Sequence, residues 1–436
     1  MARLLLLGAG HAHLDAIRAI PALIARGHAV TVAGPGPCHC YSGMGPGVLA
    51  GTYPPRAMAL PVRRMVQAAG GTFVTDTAVR IDAPERAVHF ASGLRLEYDV
   101  CSCNVGSLVA HPLPGGHHIP DIDDADGGHG DAPPPPLPTL PVFPVKPIEN
   151  LYRARQAMLR LAARGPVHVV VAGGGPAALE AACNAAVCLA RARGDTTPTV
   201  PSGDSVTLVA GRGMLPGLPK RARTLCRAVA AARGVRIIEG ARAVRAHAHG
   251  VRLDDGRTLP ARVALVATGV VPTPLFAASG LSAGQVGEPG GGADGGLAVN
   301  AHLQSIAHPD LFGGGDCIHF TPAPLPRVGV HAVRQGPVLA ANLTTRLDEH
   351  ARGAMNAARP SGQPSLTPYI PRPGHLLVLD TGAGTGVLHR PLWGTALCLG
   401  GRGAFLLKRA IDTLFMRAHL PPGGTRPGEC PWDDPD

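Results

Sequence analysis

Hydrophobic residues recur in a pattern that predicts three units, each built around a buried strand and a glycine-rich turn next to a helix. The first unit spans residues 3–20 and begins with a run of leucines, and the second spans 167–190. The third contains Leu-Phe-Gly-Gly-Gly-Asp at 311–316 and leads to a helical stretch at 330–347. Short apolar runs that end at glycine are typical of strands buried in a parallel sheet. The pattern predicts an α/β fold with two Rossmann-like domains.

The segments between these units are less regular. Short β-like runs at 72–74, 87–90 and 98–101 extend the first unit into a full domain. Residues 111–144 are rich in Pro, Gly and Asp and predict an exposed, poorly ordered loop, and a second Gly-rich loop spans 283–296.

The tail carries a second long helical pattern at 404–419. Its spacing is amphipathic: apolar Phe405, Ile411, Leu414 and Phe415 alternate with Lys408, Arg409, Asp412 and Arg417. One interpretation is a helix packed on the body of the protein. The other is an anchor on a membrane surface.

The first glycine-rich turn has the context of a dinucleotide-binding loop. Gly8 and Gly10 follow the leucine strand, and His11 opens the helix. The first glycine makes the tight turn, and the second lets backbone amides approach a pyrophosphate at the helix N-terminus. His13 stands in place of the third glycine, and the next strand ends in Ala-Gly-Pro without a ribose-binding acid. A bare structural turn is the alternative.

The second turn is the better match to this motif. Gly173, Gly175 and Ala178 fit G-x-G-x-x-A, in which the alanine keeps helix and strand close together. The following strand ends in Ala-Gly-Arg, again without the acid that binds a 2′-hydroxyl. Because Arg212 can pair with a 2′-phosphate, NADH and NADPH both remain open.

Composition narrows the possible partners. The formal charge of +10 suits phosphate-bearing ligands, but aromatic residues make up only 3% and the arginines are scattered. We therefore expect no nucleic-acid partner, since single-strand binders interleave basic residues with aromatic ones. The ten cysteines show no repeated CxxC spacing, so we expect neither a disulfide framework nor a metal site. A reducing cytoplasm is expected, without signal peptide or spanning helix.

Several motifs together resemble a known family, the flavoproteins with two dinucleotide-binding domains, over residues 3–419. Within it the chain looks like the type II NADH dehydrogenase and sulfide:quinone oxidoreductase branch, and especially like the NADH-dehydrogenase-like flavoproteins sometimes fused to selenophosphate synthetase. The matching residues are Gly8 to His13, Tyr41-Ser42-Gly43-Met44 with Pro46-Gly47, Tyr98-Asp99 with Gly106-Ser107, Pro144-Val145-Lys146-Pro147, Gly173 to Glu180, Ala267-Thr268-Gly269, Gly314-Gly315-Asp316 and Ala332-Val333-Arg334-Gln335.

The resemblance implies a domain order and two cofactors, FAD and NADH or NADPH. Residues 1–110 and 273–347 would form the FAD-binding domain in two pieces. Residues 111–145 would be the flexible loop, 146–272 the NAD(P)-binding domain, and 348–436 a C-terminal cap.

The resemblance also implies roles for individual residues. Asp316 beside Gly315 would bind the FAD ribityl chain, and Gly106 and Ser107 would lie where the chain crosses between domains. The remaining implied contacts are Tyr41, Ser42 and Gly43 near the flavin ring, Val330 and His331 at a helix N-terminus facing the flavin, Gly269 in the Ala-Thr-Gly motif, Lys146 close to the isoalloxazine, Glu180 near the nicotinamide and Gln335 on the quinone side. Asn104 and His331 depart from the family pattern and leave the acceptor open.

The implied activity is an FAD-dependent oxidoreductase that passes hydride from NAD(P)H to the flavin and electrons to a quinone or similar small acceptor. It would lie in the cytoplasm, at the inner face of a membrane if the tail helix is an anchor. A sulfide- or thiol-oxidising flavoenzyme is one alternative, although Cys38 and Cys40 form a C-x-C pair that fits better as packing or loop cysteines. A nucleotide-binding scaffold without turnover is the other.

Overall fold

A computed structural model of the chain describes residues 1–116, 139–282, 294–353, 366–392 and 395–432. Most of the Pro/Gly-rich loop expected at 111–145 and most of the Gly-rich loop expected at 283–296 lie outside the described residues.

The first region alternates strands with short helices. Its strands are β1 (Arg3–Leu7), β2 (Ala29–Gly34), β3 (His39–Cys40), β4 (Ala59–Leu60), β5 (Thr72–Thr75), β6 (Ala78–Asp82), β7 (Ala87–Phe90), β8 (Arg95–Glu97), β9 (Val100–Cys103) and β10 (Ser107–Val109). Its helices are α1 (Leu14–Arg18), α2 (Ile20–Ala25), α3 (Gly45–Ala50) and α4 (Val62–Ala68). Strands β9, β1, β2 and β5 are parallel neighbours in one sheet. The leucines of β1 are at most 2% exposed, because helices and loops cover both faces of this sheet.

The second region forms another parallel sheet. Its strands are β11 (Val142–Pro144), β12 (His168–Ala172), β13 (Ser205–Ala210), β14 (Arg236–Glu239), β15 (Ala243–His247), β16 (Gly250–Leu253), β17 (Thr258–Pro260), β18 (Val263–Val266) and β19 (Val270–Pro272). Its helices are α5 (Asn150–Ala162), α6 (Pro176–Ala192) and α7 (Lys220–Ala232). The strand order is β11-β18-β12-β13-β14. Strand β11 lies in the segment that we expected to be loop, because its backbone pairs with β18 of the sheet.

The third region returns to the first sheet. It contains α8 (Leu275–Ala278), β20 (Leu297–Val299), β21 (Leu311–Gly313), β22 (Ile318–Phe320) and α9 (Gly329–Gly353). Strand β21 pairs in parallel with β9. The first sheet therefore contains strands that come before the second region in the sequence and one strand that comes after it. Helix α9 confirms the helical pattern predicted from residue 330.

The last region is an antiparallel sheet followed by a helix. It contains β23 (Leu377–Asp380), β24 (Gly386–Leu392), β25 (Thr395–Gly401) and α10 (Arg402–His419). The helix confirms the helical pattern predicted for the tail. Lys408 and Asp412 are 9% and 2% exposed, whereas Leu414 is 65% exposed. A polar pair therefore faces the protein and an apolar stripe faces outward.

Each parallel sheet has its own hydrophobic core. The sequence predicted this α/β fold with two Rossmann-like units, and the structure confirms it. In such sheets ligands bind in the crevice at the carboxyl ends of the strands, so the loops that follow β1 and β12 are expected to border a binding site.

Candidate active site

The loop after β1 is a tight backbone cradle. Gly8 has a φ of +78°, and a Cβ at this position would lie 2.5 Å from the Asn104 carbonyl oxygen. A Cβ on Gly10 would lie 2.3 Å from Asn104 Oδ1, which accepts a hydrogen bond from the Ala12 amide. The Asn104 side chain also donates to the Gly314 carbonyl at 2.6 Å. Asn104 therefore joins the two glycine turns of the first sheet, a role that the sequence did not reveal.

His13 supports this loop from below. It is fully buried, and its Nδ1 lies 2.6 Å from the Gly8 carbonyl oxygen. Because a carbonyl only accepts, the proton is on Nδ1, and Nε2 accepts from the Ser102 hydroxyl at 2.9 Å. Burial lowers the pKa of His13 to about 4, which keeps the ring neutral. Both ring nitrogens of His13 are occupied by protein partners, so the side chain positions the loop, and the predicted contact between His13 and the cofactor stays a prediction.

His11 lies in a group of rings at the other side of the loop. Its Nδ1 is 3.2 Å from Nε2 of His39, and its ring is 5.3 Å from that of Phe415. Phe415 stacks on Tyr41 at 4.3 Å. Burial, and then the neighbouring His39, lower the pKa of His11. The Nε2 atom of His11 is buried and has no hydrogen-bond partner among the described residues, so it remains available to a bound molecule.

Three predicted residues meet at the junction of the two sheets. The Lys146 ammonium lies 2.5 Å from Asp316 Oδ2 and donates to the Ser107 hydroxyl at 2.8 Å. Ser107 in turn donates to Asp316 Oδ2 at 2.9 Å. Gly106, with a φ of +73°, turns the chain at this point. The sequence reasoning placed these residues near one ligand, and the fold brings them together.

The start of α9 closes this junction. Gln335 is 1% exposed and accepts a hydrogen bond from the Gly315 amide at 2.7 Å. His331, one turn earlier, is buried and its Nδ1 lies 2.9 Å from the Tyr369 hydroxyl. Val330 lies in the first turn of the helix. Gln335 thus holds the turn that carries Asp316. The sequence placed Gln335 on the quinone side and did not predict this contact.

The loop after β12 repeats the cradle. Gly173 has a φ of +140°, and its Cβ would lie 2.2 Å from the Ala267 carbonyl oxygen. A Cβ on Gly175 would meet no atom within 4 Å, which leaves space beside the N-terminus of α6. Ala178 is fully buried and keeps helix and strand close together. Gly269, with a φ of +100°, lies beyond the end of the neighbouring strand β18. Both glycine loops therefore fit a diphosphate.

A family comparison agrees with this geometry. Residues 2–336 match the model described as pyridine nucleotide-disulphide oxidoreductase. The chain belongs to this family. Membership in the pyridine nucleotide-disulphide oxidoreductases implies FAD and NAD(P)H as cofactors, as the sequence predicted.

Solved structures show how widely this fold is shared. The sulfide:quinone oxidoreductase of the hyperthermophilic bacterium Aquifex aeolicus is similar with a TM-score of 0.68 and 15% identity, over 96% of this chain and 91% of that one. NDH2 of Plasmodium falciparum in complex with NADH has a TM-score of 0.71 and 13% identity, over 96% and 95%.

An engineered water-forming NADPH oxidase, a mutant of the Lactobacillus brevis enzyme solved with NADPH, has a TM-score of 0.63 and 19% identity, over 89% and 75%. At sequence identities this low, the three similarities show a shared fold. No curated protein sequence matches the chain.

Within this family fold, the predicted residue Glu180 lies beside three charged side chains that the sequence reasoning did not place at the site, namely Asp380, Lys408 and Asp412. Glu180 accepts a hydrogen bond from the Asp380 amide at 2.8 Å, and burial raises its pKa to about 7. Burial also raises the pKa of Asp380. Nearby, Lys408 Nζ lies 2.7 Å from Asp412 Oδ2 and 2.5 Å from the Gly43 carbonyl oxygen. The only sequence signal was the i, i+4 spacing of Lys408 and Asp412, which is also common on exposed helix faces.

Tyr41 and Ser42 border these charged side chains. Burial and the neighbouring Asp412 raise the pKa of Tyr41, and its ring stacks on α10 through Phe415. Ser42 begins the turn that carries Gly43. The cap helix therefore reaches the segment that was predicted to lie near the flavin ring.

The cysteines divide into one bonded pair and a buried remainder. Cys38 forms a disulfide with Cys430, which contradicts our expectation that Cys38 is a simple packing or loop cysteine and that no disulfide is present. Every free cysteine is buried. Burial raises the pKa of Cys183 to about 12 and that of Cys188 to about 11, which makes both thiols unreactive at neutral pH. This chemistry does not favour the thiol-oxidising alternative.

Within residues 1–116, 139–282, 294–353, 366–392 and 395–432, no three or more His, Cys, Asp or Glu side chains form a group suited to a metal ion. Over those same ranges, no helix is both long enough and apolar enough to cross a membrane.

Proposed function

We propose that the protein is an FAD-dependent NAD(P)H dehydrogenase that passes hydride from NAD(P)H to the flavin and electrons to a quinone or similar small acceptor. The observation that carries this proposal is the pair of glycine cradles, each at the carboxyl edge of its own parallel sheet. Bound FAD would supply the redox chemistry, and the protein would supply binding, orientation and charge.

The FAD contacts follow from the first cradle and the junction. Backbone amides after Gly8 and Gly10 would hold the pyrophosphate, and the Asp316 carboxylate would accept a hydrogen bond from a ribityl hydroxyl. Lys146, already paired with Asp316 at 2.5 Å, would place a positive charge beside the bound ring. A fixed cation in a partly buried site stabilises negative charge more than it would in water.

Glu180 is the side chain best suited to move a proton for the acceptor. A quinone that receives two electrons also takes up two protons, and the pKa of Glu180 near 7 lets it hold or release one at neutral pH. We propose Glu180 as a proton donor on the side where the cap meets the second domain.

The raised pKa of Glu180 gives a prediction about stability and pH. Its folded-state pKa lies above the ordinary value of 4.5, so its contribution to stability is present at low pH and is lost as pH rises through about 7. The full shift corresponds to roughly 3 kcal/mol, and partial exposure to solvent reduces this to about 2 kcal/mol. Urea unfolding should show Glu180→Gln gaining about 2 kcal/mol over wild type between pH 5 and pH 8.

The exposed Glu85 supplies the control for this measurement. Glu85→Gln should follow the wild-type pH dependence, since this side chain is already solvated. A stability difference between Glu180→Gln and wild type that stays constant from pH 5 to pH 8 would exclude a buried, protonatable Glu180.

We infer that the nicotinamide donor is NADPH. Strand β13 ends without an acid, Arg212 is exposed, and the stem of Arg242 lies against Gly211. Glu239, at the end of the neighbouring strand, is already bound by the Met214 amide at 2.6 Å and by Arg227 at 2.6 Å. The similar engineered NADPH oxidase has an aspartate replaced by alanine and two arginines introduced. A basic edge whose acid is already paired favours a 2′-phosphate over a free hydroxyl.

Replacing Arg212 by alanine is expected to lower the activity with NADPH selectively. A hydrogen bond to a charged group contributes about 1.5–3 kcal/mol, so kcat/KM for NADPH should fall roughly 10- to 100-fold. The value for NADH should change little. Arg236→Ala is the control, because Arg236 is exposed at the opposite, amino-terminal end of its strand. An equal fall with both nucleotides would rule out a 2′-phosphate contact.

We also propose that the outer face of α10 rests on an anionic membrane surface. Leu406, Leu407, Ile411 and Leu414 are 37–65% exposed. Arg402, Arg409 and Arg417 on the same helix are exposed as well. Apolar side chains flanked by arginines are typical of helices that lie in the headgroup region. Such contact would place the protein at the inner face of a membrane.

The double variant Leu406→Ser/Leu414→Ser should cosediment less with phosphatidylglycerol vesicles than the wild-type protein does. The control variant Leu94→Ser, which changes an exposed leucine outside α10, should cosediment as the wild type does.

The function as a whole is tested by anaerobic stopped-flow reduction of the purified protein. We expect a yellow protein whose flavin band is bleached by NADPH and restored by a water-soluble quinone. A protein that stays colourless after reconstitution with FAD, or a flavin band that neither nucleotide bleaches, would overturn the proposal.

A further inference from the structure

The disulfide joins the first domain to the segment after α10, at the edge of the first cradle. Cys38 and Cys430 are 392 residues apart in sequence, with a Cα–Cα distance of 5.8 Å. Cys38 follows β2, whose end is bonded to the cradle through the hydrogen bond from the Gly8 amide to the Ala33 carbonyl. It therefore lies at the carboxyl edge of the first sheet, where the adenosine half of a dinucleotide binds.

The segment that carries Cys430 forms a strap, defined here as residues 420–432. Thr425 donates to the Ala59 carbonyl at 2.6 Å, and Glu429 pairs with Arg64 at 2.7 Å. Arg64 also donates to the Gly424 carbonyl. These polar contacts, the disulfide and the packing of Leu420 and Trp432 on a hydrophobic cluster hold the strap against the first domain.

The strap and the cradle share neighbours. His39, next to Cys38, bonds to His11 of the cradle at 3.2 Å. Phe415, in the helix that leads into the strap, stacks on Tyr41 and lies 5.3 Å from the His11 ring. A displacement of the strap would therefore act on the cradle from two sides.

We propose that Cys38–Cys430 is a thiol-disulfide clasp that controls how long the protein retains FAD, an inference that rests on FAD binding in the first cradle. With the disulfide formed, the strap is held covalently and the edge of the cradle stays covered. With the disulfide reduced, only noncovalent contacts hold the strap, so its effective concentration at the cradle falls and FAD leaves faster.

The chemistry of opening is ordinary thiol-disulfide exchange with a dithiol reductant. One thiolate of the reductant attacks Cys38, the partly exposed partner, and Cys430 leaves as a thiolate that takes up a proton. The second thiol of the reductant then displaces Cys38. Two electrons and two protons pass from the dithiol to the two cysteines, and the reductant becomes a cyclic disulfide. In a reducing compartment the clasp would be open, and oxidising conditions would close it.

The experiment measures FAD release as the rise of free flavin fluorescence after dilution of the FAD-loaded protein. Wild type treated with dithiothreitol should release FAD about tenfold faster than oxidised wild type, equivalent to about 1.4 kcal/mol. Cys430→Ser should release FAD at the fast rate with or without dithiothreitol. Cys398→Ser, which removes a free buried thiol far along the cap sheet, should keep the wild-type response.

The outcomes separate the clasp from the proposed function. If the chain binds FAD and oxidised and reduced wild type release it at the same rate, the clasp is wrong while the proposed function stands. If FAD does not bind at all, both fail. Because Cys430→Ser has a structural risk, reduced wild type is the primary comparison. Peptide mapping without reductant must find Cys38 linked to Cys430; two free thiols after treatment with an oxidant would also overturn the clasp.

Discussion

Replacing Gly8 by alanine is expected to give a protein that is purified without FAD. The φ of +78° at this position costs an alanine about 1–2 kcal/mol, and the new Cβ would lie 2.5 Å from the Asn104 carbonyl oxygen. That oxygen belongs to the backbone, so the loop itself must move. Displaced amides no longer converge on the pyrophosphate, and we expect FAD affinity to fall at least ~100-fold, or about 2.7 kcal/mol. Flavin absorbance and a fluorescence titration with FAD measure the change.

Gly36 provides the matched control for this substitution. It follows β2 on the same side of the domain, and a Cβ on it would meet no atom within 4 Å. Gly36→Ala should be as yellow as wild type. A Gly8→Ala protein with a normal flavin spectrum and affinity would show that the loop after β1 does not hold FAD.

Replacing Asp412 by alanine is expected to destabilise the folded protein strongly. Lys408 is buried, and the substitution leaves its ammonium with the Gly43 carbonyl as the remaining hydrogen-bond acceptor among the described residues. Removing one partner of a buried ion pair typically costs about 3–5 kcal/mol, because the other charge stays desolvated. Urea unfolding of the FAD-loaded protein should show a loss in this range.

Two controls identify the cause of this loss. Lys408→Met combined with Asp412→Leu removes both charges and should recover most of the stability, since an apolar pair of similar volume needs no partner. Asp255→Ala breaks an exposed pair with Arg257 and should cost at most about 1 kcal/mol. If Asp412→Ala behaves like Asp255→Ala, the pair is not buried in solution.

The buried pair also bears on the active site. Lys408 connects the cap helix to Gly43, and Asp412 of the same helix lies beside Tyr41. Gly43 and Tyr41 belong to the segment predicted to lie near the flavin ring. The cap is thus attached to the site by charge as well as by packing. Its outward apolar stripe and its inward ion pair belong to one helix, which links the proposed membrane contact to the residues around the acceptor side.

The sequence by itself determined the two glycine-rich loops and the sheets that carry them. Gly8 and Gly173 are recognisable because a positive φ favours glycine, and that requirement is local. Buried strands are equally readable, because a strand covered on both faces must be apolar along its whole length. The residues at the junction, Ser107, Lys146 and Asp316, were found through the family resemblance, and the fold brought them together as expected.

Only the tertiary structure decided the roles that depend on distant partners. The sequence placed His13 in the glycine-rich loop, but only the fold shows that its buried ring is hydrogen-bonded to Ser102 of a neighbouring strand. Lys408 and Asp412 have the spacing of an exposed surface pair, and only the packing of α10 on the body shows that they face inward. Cys38 forms a disulfide with Cys430, which lies 392 residues away in sequence. Local pattern encodes backbone conformation and burial, whereas the partner of a polar or sulfur atom depends on which segments the completed fold brings together.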